Sequence, residues 1–464
     1  MRFIGREKEL TVLQENYERQ NGFVVLYGRR RVGKTTLIDE FIRDKDALYF
    51  FATEESERQN MQSFASVLAD FTGQSYLKSA AFSNWDALFT IFANTRPEEK
   101  KILVIDEFQN LTQANPAFAS VFQRVWDTIL SKYQIMVILC GSYIRMMTEE
   151  TLSYTSPLYG RRTAQIRLKP LSFSELRRHY HEKSFDELMK FYAVTGGVPK
   201  YLEFFDNADD IFENIERHIL NTNGYLYEEP VFLLDHEVKE PVNYFSILRA
   251  VAAGNRKLAD LAGVLEKKSN ALSPYLRVLE DLDIIERRVP VTEKSPEKSR
   301  RGLYFISDSF LQFWFLFVYP NRHELERGKT AGVLEKIRTE FIPRYLSFVY
   351  EEVCRGMFWE LCDENAVPFS PVKVGSFWDK AVEVDVAAVD AEGKLFFGEC
   401  KYHSGNKPVD MRVLESLRDK TLSAGFAENE VIFGLFSDSG FTDDVKAEAK
   451  KRGVVLIHQD KNLQ

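Results

Sequence analysis

Gly28, Gly33, Lys34 and Thr35 stand at the spacing G-x-x-x-x-G-K-[ST], in the run Gly28-Arg29-Arg30-Arg31-Val32-Gly33-Lys34-Thr35-Thr36. Glycines let a backbone close around a phosphate chain, and a helix beginning at Lys34 turns its free N–H groups on that anion. Lys34 is placed to reach the β- and γ-phosphates of ATP, and Thr35, followed by Thr36, offers a hydroxyl to Mg²⁺. Asp106-Glu107 closes the apolar run Lys101-Ile102-Leu103-Val104-Ile105. Two carboxylates ending a buried strand cost desolvation unless a cation or network receives them. Asp106 suits Mg²⁺, and Glu107 suits a base that orients and deprotonates water. Ser142 ends the next strand, where it either senses the γ-phosphate or is a plain turn serine. Arg161, in Tyr159-Gly160-Arg161-Arg162, offers charge to a transition state, while Arg29 to Arg31 are rival arginines that could face a partner.

A second constellation lies near the C-terminus. Val382-Glu383-Val384-Asp385-Val386 alternates, so Glu383 and Asp385 share one strand face. Across a hairpin turn at Asp390-Ala391-Glu392-Gly393-Lys394 comes Gly398-Glu399-Cys400-Lys401, with Glu399 and Lys401 on one face. Asp385 and Glu399 would hold Mg²⁺ while Lys401 steadies or deprotonates an attacking water. Glu351 on a preceding helix completes the set. The alternative is an exposed hairpin with cross-strand ion pairs.

These groups need particular elements. Phe23-Val24-Val25-Leu26-Tyr27 predicts a buried strand before the glycine loop, and Thr36 to Ile42 a helix after it. Further strands at Ala47–Ala52, Gln134–Cys140 and Thr163–Leu168 alternate with helices, which predicts an open parallel α/β sheet with ligands at the strands' C-terminal ends. Residues 172–235 read as helical, broken at Thr195-Gly196-Gly197-Val198-Pro199. Between 236 and 320, helices starting near Phe245, Leu258 and Asn270, then strands at Ile284–Val289 and Leu303–Ile306, match a winged helix-turn-helix. Pro274 is expected in the first turn of the third helix. Residues 321–331 read as a linker before a last domain at 332–464, with helices near Phe348–Cys362 and Asp410–Ser423 and a strand at Glu430–Phe436.

The 464 residues exceed one core and predict several domains. With 45% hydrophobic and 28% charged residues the composition is that of an ordinary globular protein. A net charge of −8 argues against a wholesale nucleic-acid coat. Yet Arg249 to Arg301 holds twelve basic and eight acidic side chains. Lys267, Lys268, Arg277, Lys294, Lys298, Arg300 and Arg301 predict phosphate contacts from the third helix and the wing. Cys140, Cys354, Cys362 and Cys400 form no C-x-x-C pair and read as reduced thiols. With no apolar signal core at the start and no run long enough to span a bilayer, the expected location is cytoplasmic, without membrane contact.

The first half resembles the archaeal-type ATPases, a branch near the AAA+ and signal-transducing (STAND) ATPases. The matching pieces are Phe3-Ile4-Gly5-Arg6-Glu7, the glycine loop, Ile105-Asp106-Glu107-Phe108-Gln109, Gly141-Ser142, Leu158-Tyr159-Gly160-Arg161 and Gly196-Gly197-Val198-Pro199-Lys200-Tyr201-Leu202. The resemblance implies ATP binding and hydrolysis in residues 1–171, with a helical lid at 172–235. The tail resembles the restriction-endonuclease-like PD-(D/E)xK superfamily, in its Holliday-junction-resolvase-like branch, through Tyr350-Glu351, Glu383-Val384-Asp385 and Glu399-Cys400-Lys401. Val384 replaces the proline of the superfamily's name. The expectation is a multidomain α/β ATPase with cofactors ATP and Mg²⁺ that acts on DNA through the winged helix and a nuclease-like tail. A second copy of the chain or a protein partner is a further expected contact, and the rival is a STAND-like switch whose nucleotide state controls protein binding, with an inert tail.

Overall fold

The computed structural model describes residues 3–205, 209–235, 237–238, 240–405 and 407–463. Two compact units emerge, 1–171 with 198–200, and 172–197 with 201–464.

The first unit is a five-stranded parallel sheet in the order β2-β3-β4-β1-β5, with β1 Gly22–Tyr27, β2 Ala47–Phe51, β3 Lys101–Asp106, β4 Ile135–Gly141 and β5 Ala164–Arg167. Every residue of β1, β3 and β4 is buried, as continuous apolar runs demand when both faces are covered. One face packs an aromatic layer that includes Phe23, Phe64, Trp85, Phe89 and Phe122; the other packs Leu13, Val24, Leu37, Ile38 and Ile138. In this order β4 lies between the strand of the glycine loop and the strand of the acidic pair. The C-terminal ends of all three therefore share one edge.

In the second unit, three helices, Pro241–Ala252, Leu258–Val264 and Ser269–Asp281, precede an antiparallel pair, β6 Ile285–Arg288 and β7 Leu303–Ile306. Pro274 falls at the sixth residue of its helix, past the first turn. The position is exposed, so water can serve the carbonyl that a proline cannot bond. Residues 321–331, expected as a linker, instead form a helical turn at Arg322–Leu325 and the start of the helix Thr330–Phe341. Ion pairs from Arg322 to Glu228 (2.6 Å) and Lys336 to Glu324 (2.8 Å) tie that segment down. The aromatic run Phe310, Phe313, Trp314, Phe315 and Phe317 is wholly buried.

A six-stranded mixed sheet follows, in the order β13-β12-β11-β10-β9-β8, with β8 Pro371–Trp378, β9 Glu383–Asp390, β10 Leu395–Lys401, β11 Val431–Ser437, β12 Val455–His458 and β13 Lys461–Asn462. The turn between β9 and β10 closes through Gly393 at φ 87°, with Asp390 N–H on Lys394 O (3.1 Å). The β6–β7 loop lies along β8. Val291 N–H donates to Ser376 O (3.0 Å), Trp378 Nε1 donates to Arg301 O (3.1 Å), and Val291 is buried among the sheet's apolar residues. No helix among the described residues is long and apolar enough to cross a membrane.

Candidate functional site

The first site gathers at the shared strand edge. Gly28 follows β1 so closely against the 168 carbonyl that a Cβ would sit 2.3 Å from Leu168 O, so no other residue fits there. Gly33, at φ 92°, caps the helix Lys34–Ile42, leaving its first N–H groups facing the loop. Lys34 bends back over the loop, its Nζ donating to Gly28 O (2.8 Å) and Arg29 O (3.1 Å). Burial lowers its pKa, while the acidic groups of Cys140, Glu107 and Asp106 work the other way. Thr35 Oγ1 lies 3.3 Å from Asp106 Oδ2, and Thr36 is exposed one position on.

The acidic pair is held by neutral donors. Asp106 accepts from the Tyr49 hydroxyl and from Glu107 N–H (2.8 Å). Glu107 sits in the left-handed region (φ 52°, ψ 45°), a conformation that non-glycine residues adopt at a cost. Its carboxylate accepts from Ser142 Oγ (2.7 Å), Ser142 N–H (3.1 Å) and the Gln109 amide. The loop has its own brace, because Arg6 donates to Val32 O (3.0 Å) and Lys169 O (2.7 Å). Arg30 stacks on Tyr143 at 5.1 Å and bonds its hydroxyl.

Arg161 is not part of this group. It pairs with Asp127 (3.1 Å), two residues before Thr163, whose N–H donates to Phe23 O (2.7 Å). That is where β1 begins, roughly 17 Å along the strand from Gly28 at about 3.3 Å per residue. The spacing of a G-R-R run says nothing about which end of the sheet it reaches.

The second site lies on β9, β10 and the helix Ser347–Asp363. The ladder between the strands ends at Gly398 opposite Val386, which puts Glu399 across from Asp385. Beyond that point Asp385 Oδ2 takes the Cys400 N–H (2.8 Å). Glu399 is buried and receives two ammonium groups, Lys401 (2.9 Å) and Lys420 (2.7 Å). Lys420 comes from the helix Met411–Ser423, and sequence spacing gave no sign of it. Burial and the Glu399 charge push Asp385 up to about 6, against the pull of Cys400 N–H, Lys401 and Lys420. Burial and the charge of Asp385 push Glu351 up to about 8. For Lys401 burial works downward, but Glu399 and Asp385 outweigh it and its pKa rises. Among the described residues no three His, Cys, Asp or Glu side chains converge closely enough to cage a metal by themselves.

The predicted wing cations divide. Lys267, Lys268 and Arg277 are exposed on or beside the third helix, and Lys294, Lys298 and Arg300 on the loop. Arg301 is committed to Glu293 and to Trp378 O.

Residues 3–205 match the model of an ATPase domain predominantly from Archaea. Over 457 residues, 98% of either chain, the sequence is 33% identical to an uncharacterized protein of Methanocaldococcus jannaschii. The chain belongs to the archaeal-type ATPase family. Residues 314–413 match a second model, described as archaeal and bacterial proteins of unknown function. An uncharacterized ATP-binding protein of M. jannaschii is 46% identical over 44 residues, 9% of this chain and 75% of that one. A Walker-type ATPase of Pyrococcus abyssi superposes with a TM-score of 0.50 at 20% identity, over 68% of this chain and 96% of its own, a likeness of fold. This archaeal-type ATPase thus carries a nucleotide-binding core whose acidic pair is positioned by Tyr49, Gln109 and Ser142. Of these three donors only Ser142 is assigned a role from the sequence; Tyr49 meets Asp106 only after β2 and β3 are aligned, and Gln109, two residues past Glu107, is read there only as part of its motif.

Proposed function

We propose that this ATPase hydrolyses ATP to control a module that acts on DNA, and that its C-terminal site cleaves phosphodiester bonds. Support for the first step is the acidic pair itself. Thr35 and Asp106 face each other at a distance that a hydrated Mg²⁺ would bridge, since this ion keeps most of its waters and takes one or two protein oxygens. Such an ion neutralises charge on the phosphates. Lys34 gives up its loop carbonyls to bind phosphate oxygens. Glu107, oriented by Ser142 and Gln109, takes the proton of the attacking water.

One observation carries the second step: Asp385 and Glu399 lie opposite each other with Lys401 on Glu399. Two carboxylates with water and a phosphate oxygen satisfy Mg²⁺, and burial, with the charge of the neighbouring carboxylate second, raises both Asp385 and Glu351. Lys401, bonded to Glu399, steadies the developing negative charge. Contact with DNA runs through the exposed Lys267, Lys268 and Arg277 on or beside the third helix, which would approach a groove. The test is Asp385→Ala against wild type, on linear, branched and single-stranded DNA, with and without ATP, in Mg²⁺ and Mn²⁺. Cleavage should vanish in the variant while ATP hydrolysis stays. If no substrate is cut by wild type, or the variant cuts as well, the tail is a recognition domain.

A further inference from the structure

Arg256 follows the helix Pro241–Ala252, and its carbonyl accepts the Tyr304 N–H (2.8 Å), which fixes its backbone to β7. Its guanidinium lies over two rings, Phe305 at 4.4 Å and Phe348 at 5.2 Å. Burial lowers its pKa, while the charges of Glu383 and Glu351 raise it. Neither carboxylate reaches the 4.0 Å of an ion pair, and among the described residues the guanidinium has no hydrogen-bond partner. The neighbouring arginines differ. Arg288 is bonded to Glu286 and Glu352, and Arg355 to Glu352 and the carbonyl of Asp385.

We propose that Arg256 binds a phosphate of the nucleic-acid strand presented to Asp385 and Glu399, so that the three-helix module supplies part of the C-terminal site. This rests on the reading of that site given above. Aromatic rings cover the faces of a guanidinium and leave its in-plane N–H fork for a planar pair of oxygens. A guanidinium kept only to balance charge would bond the nearby carboxylates, as Arg288 does. Arg256 instead stands beside Glu351 and Glu383 with its donors unspent, where a phosphodiester drawn to a metal on Asp385 would pass. The module cannot swing away freely, because Val291 and Trp378 bond it to β8. A lysine would give the charge without the fork.

The experiment measures binding of a short fluorescein-labelled DNA duplex to the full chain in Ca²⁺, across a salt series, with cleavage in Mg²⁺ and Mn²⁺ run in parallel. Arg256→Ala should weaken binding by about tenfold at moderate salt and reduce the slope of log K against log salt by about one. Arg256→Lys should keep the slope and lose about threefold in affinity, since the charge remains and the bidentate geometry goes. Arg256→Lys carries the test alone if the alanine variant fails to fold. Affinity within twofold of wild type in both variants overturns the proposal. If wild type cuts nothing but Arg256→Ala still loses affinity and slope, the nuclease reading fails and the phosphate contact stands. If wild type cuts and the variants bind like wild type, the role of Arg256 fails alone.

Discussion

Ser142→Ala isolates one bond of the hydrolytic machinery proposed above. Glu107 occupies a left-handed backbone position, and three donors aim its carboxylate: Ser142 Oγ, Ser142 N–H and the Gln109 amide. The substitution removes only the first, at 2.7 Å, and leaves the backbone donor at 3.1 Å. A hydrogen bond to a charged group contributes about 1.5–3 kcal/mol, and the two surviving donors put the loss near the lower end, about 1.5–2 kcal/mol. If that bond orients Glu107 towards the attacking water, kcat falls about 10–30-fold. Nucleotide affinity should hold, because Lys34 and the loop are untouched. Ser142→Thr keeps the hydroxyl and should recover most of the rate. Steady-state ATP turnover and equilibrium binding of a fluorescent ATP analogue separate the two quantities. A kcat within twofold of wild type, a rise in kcat, or an equal loss of affinity would each refute the orienting role.

Lys34→Ala should reduce ATP turnover by at least about 100-fold and weaken nucleotide binding, read by the same two assays. Glu107→Gln should retain ATP without turning it over, since the amide keeps the shape but takes no proton; a normal steady-state rate would remove Glu107 from its role. Lys401→Ala should abolish DNA cleavage and leave ATP hydrolysis unchanged, and cleavage at the wild-type rate would return Lys401 to a structural ion pair. Glu351 is held near 8 against its ordinary 4.5, so the folded chain binds its proton more tightly than the unfolded one. That stabilisation is complete below pH 4.5 and is lost as pH rises through 8, so Glu351→Gln should raise the melting temperature at pH 8.5 and leave it unchanged at pH 4. Equal shifts at both values would mean that Glu351 is not raised.

How much the sequence revealed depended on how local each arrangement is. The glycine loop, its strand and its helix are one contiguous stretch, so their order alone predicted them. Asp106 and Glu107 were legible because two acids closing an apolar strand need a reason. Tyr49 was not, since a tyrosine in β2 reaches Asp106 only once β2 pairs with β3, while Gln109 stood in the motif without showing the role its amide takes on Glu107. Arg161 failed for the same cause, because nothing local told which end of the sheet it joins. In β8, Gly375 and the irregular pairing with β9 break the alternation that would have marked an edge strand. Lys420 came from a helix far along the chain, chosen by the packing of that helix on β10.

The basic excess between Arg249 and Arg301 misled in a more instructive way. A count treats every cation as a surface charge offered to phosphate. Arg287 is bonded to Pro296 O and Ser299 O, Arg288 to two glutamates, and Arg301 to Glu293 and the backbone of β8. These three secure the β6–β7 loop or its attachment to the last sheet, whereas Lys267, Lys268, Arg277, Lys294, Lys298 and Arg300 stay exposed. The two sites then differ in what must move. At the first, Asp106 and Glu107 are held by neutral donors that can remain in place when a cation arrives. At the second, Glu399 already carries Lys401 and Lys420, so a divalent ion must compete with two ammonium groups. On the reading proposed above, that competition predicts weak metal binding in the free chain and tighter binding once a phosphate draws a lysine away.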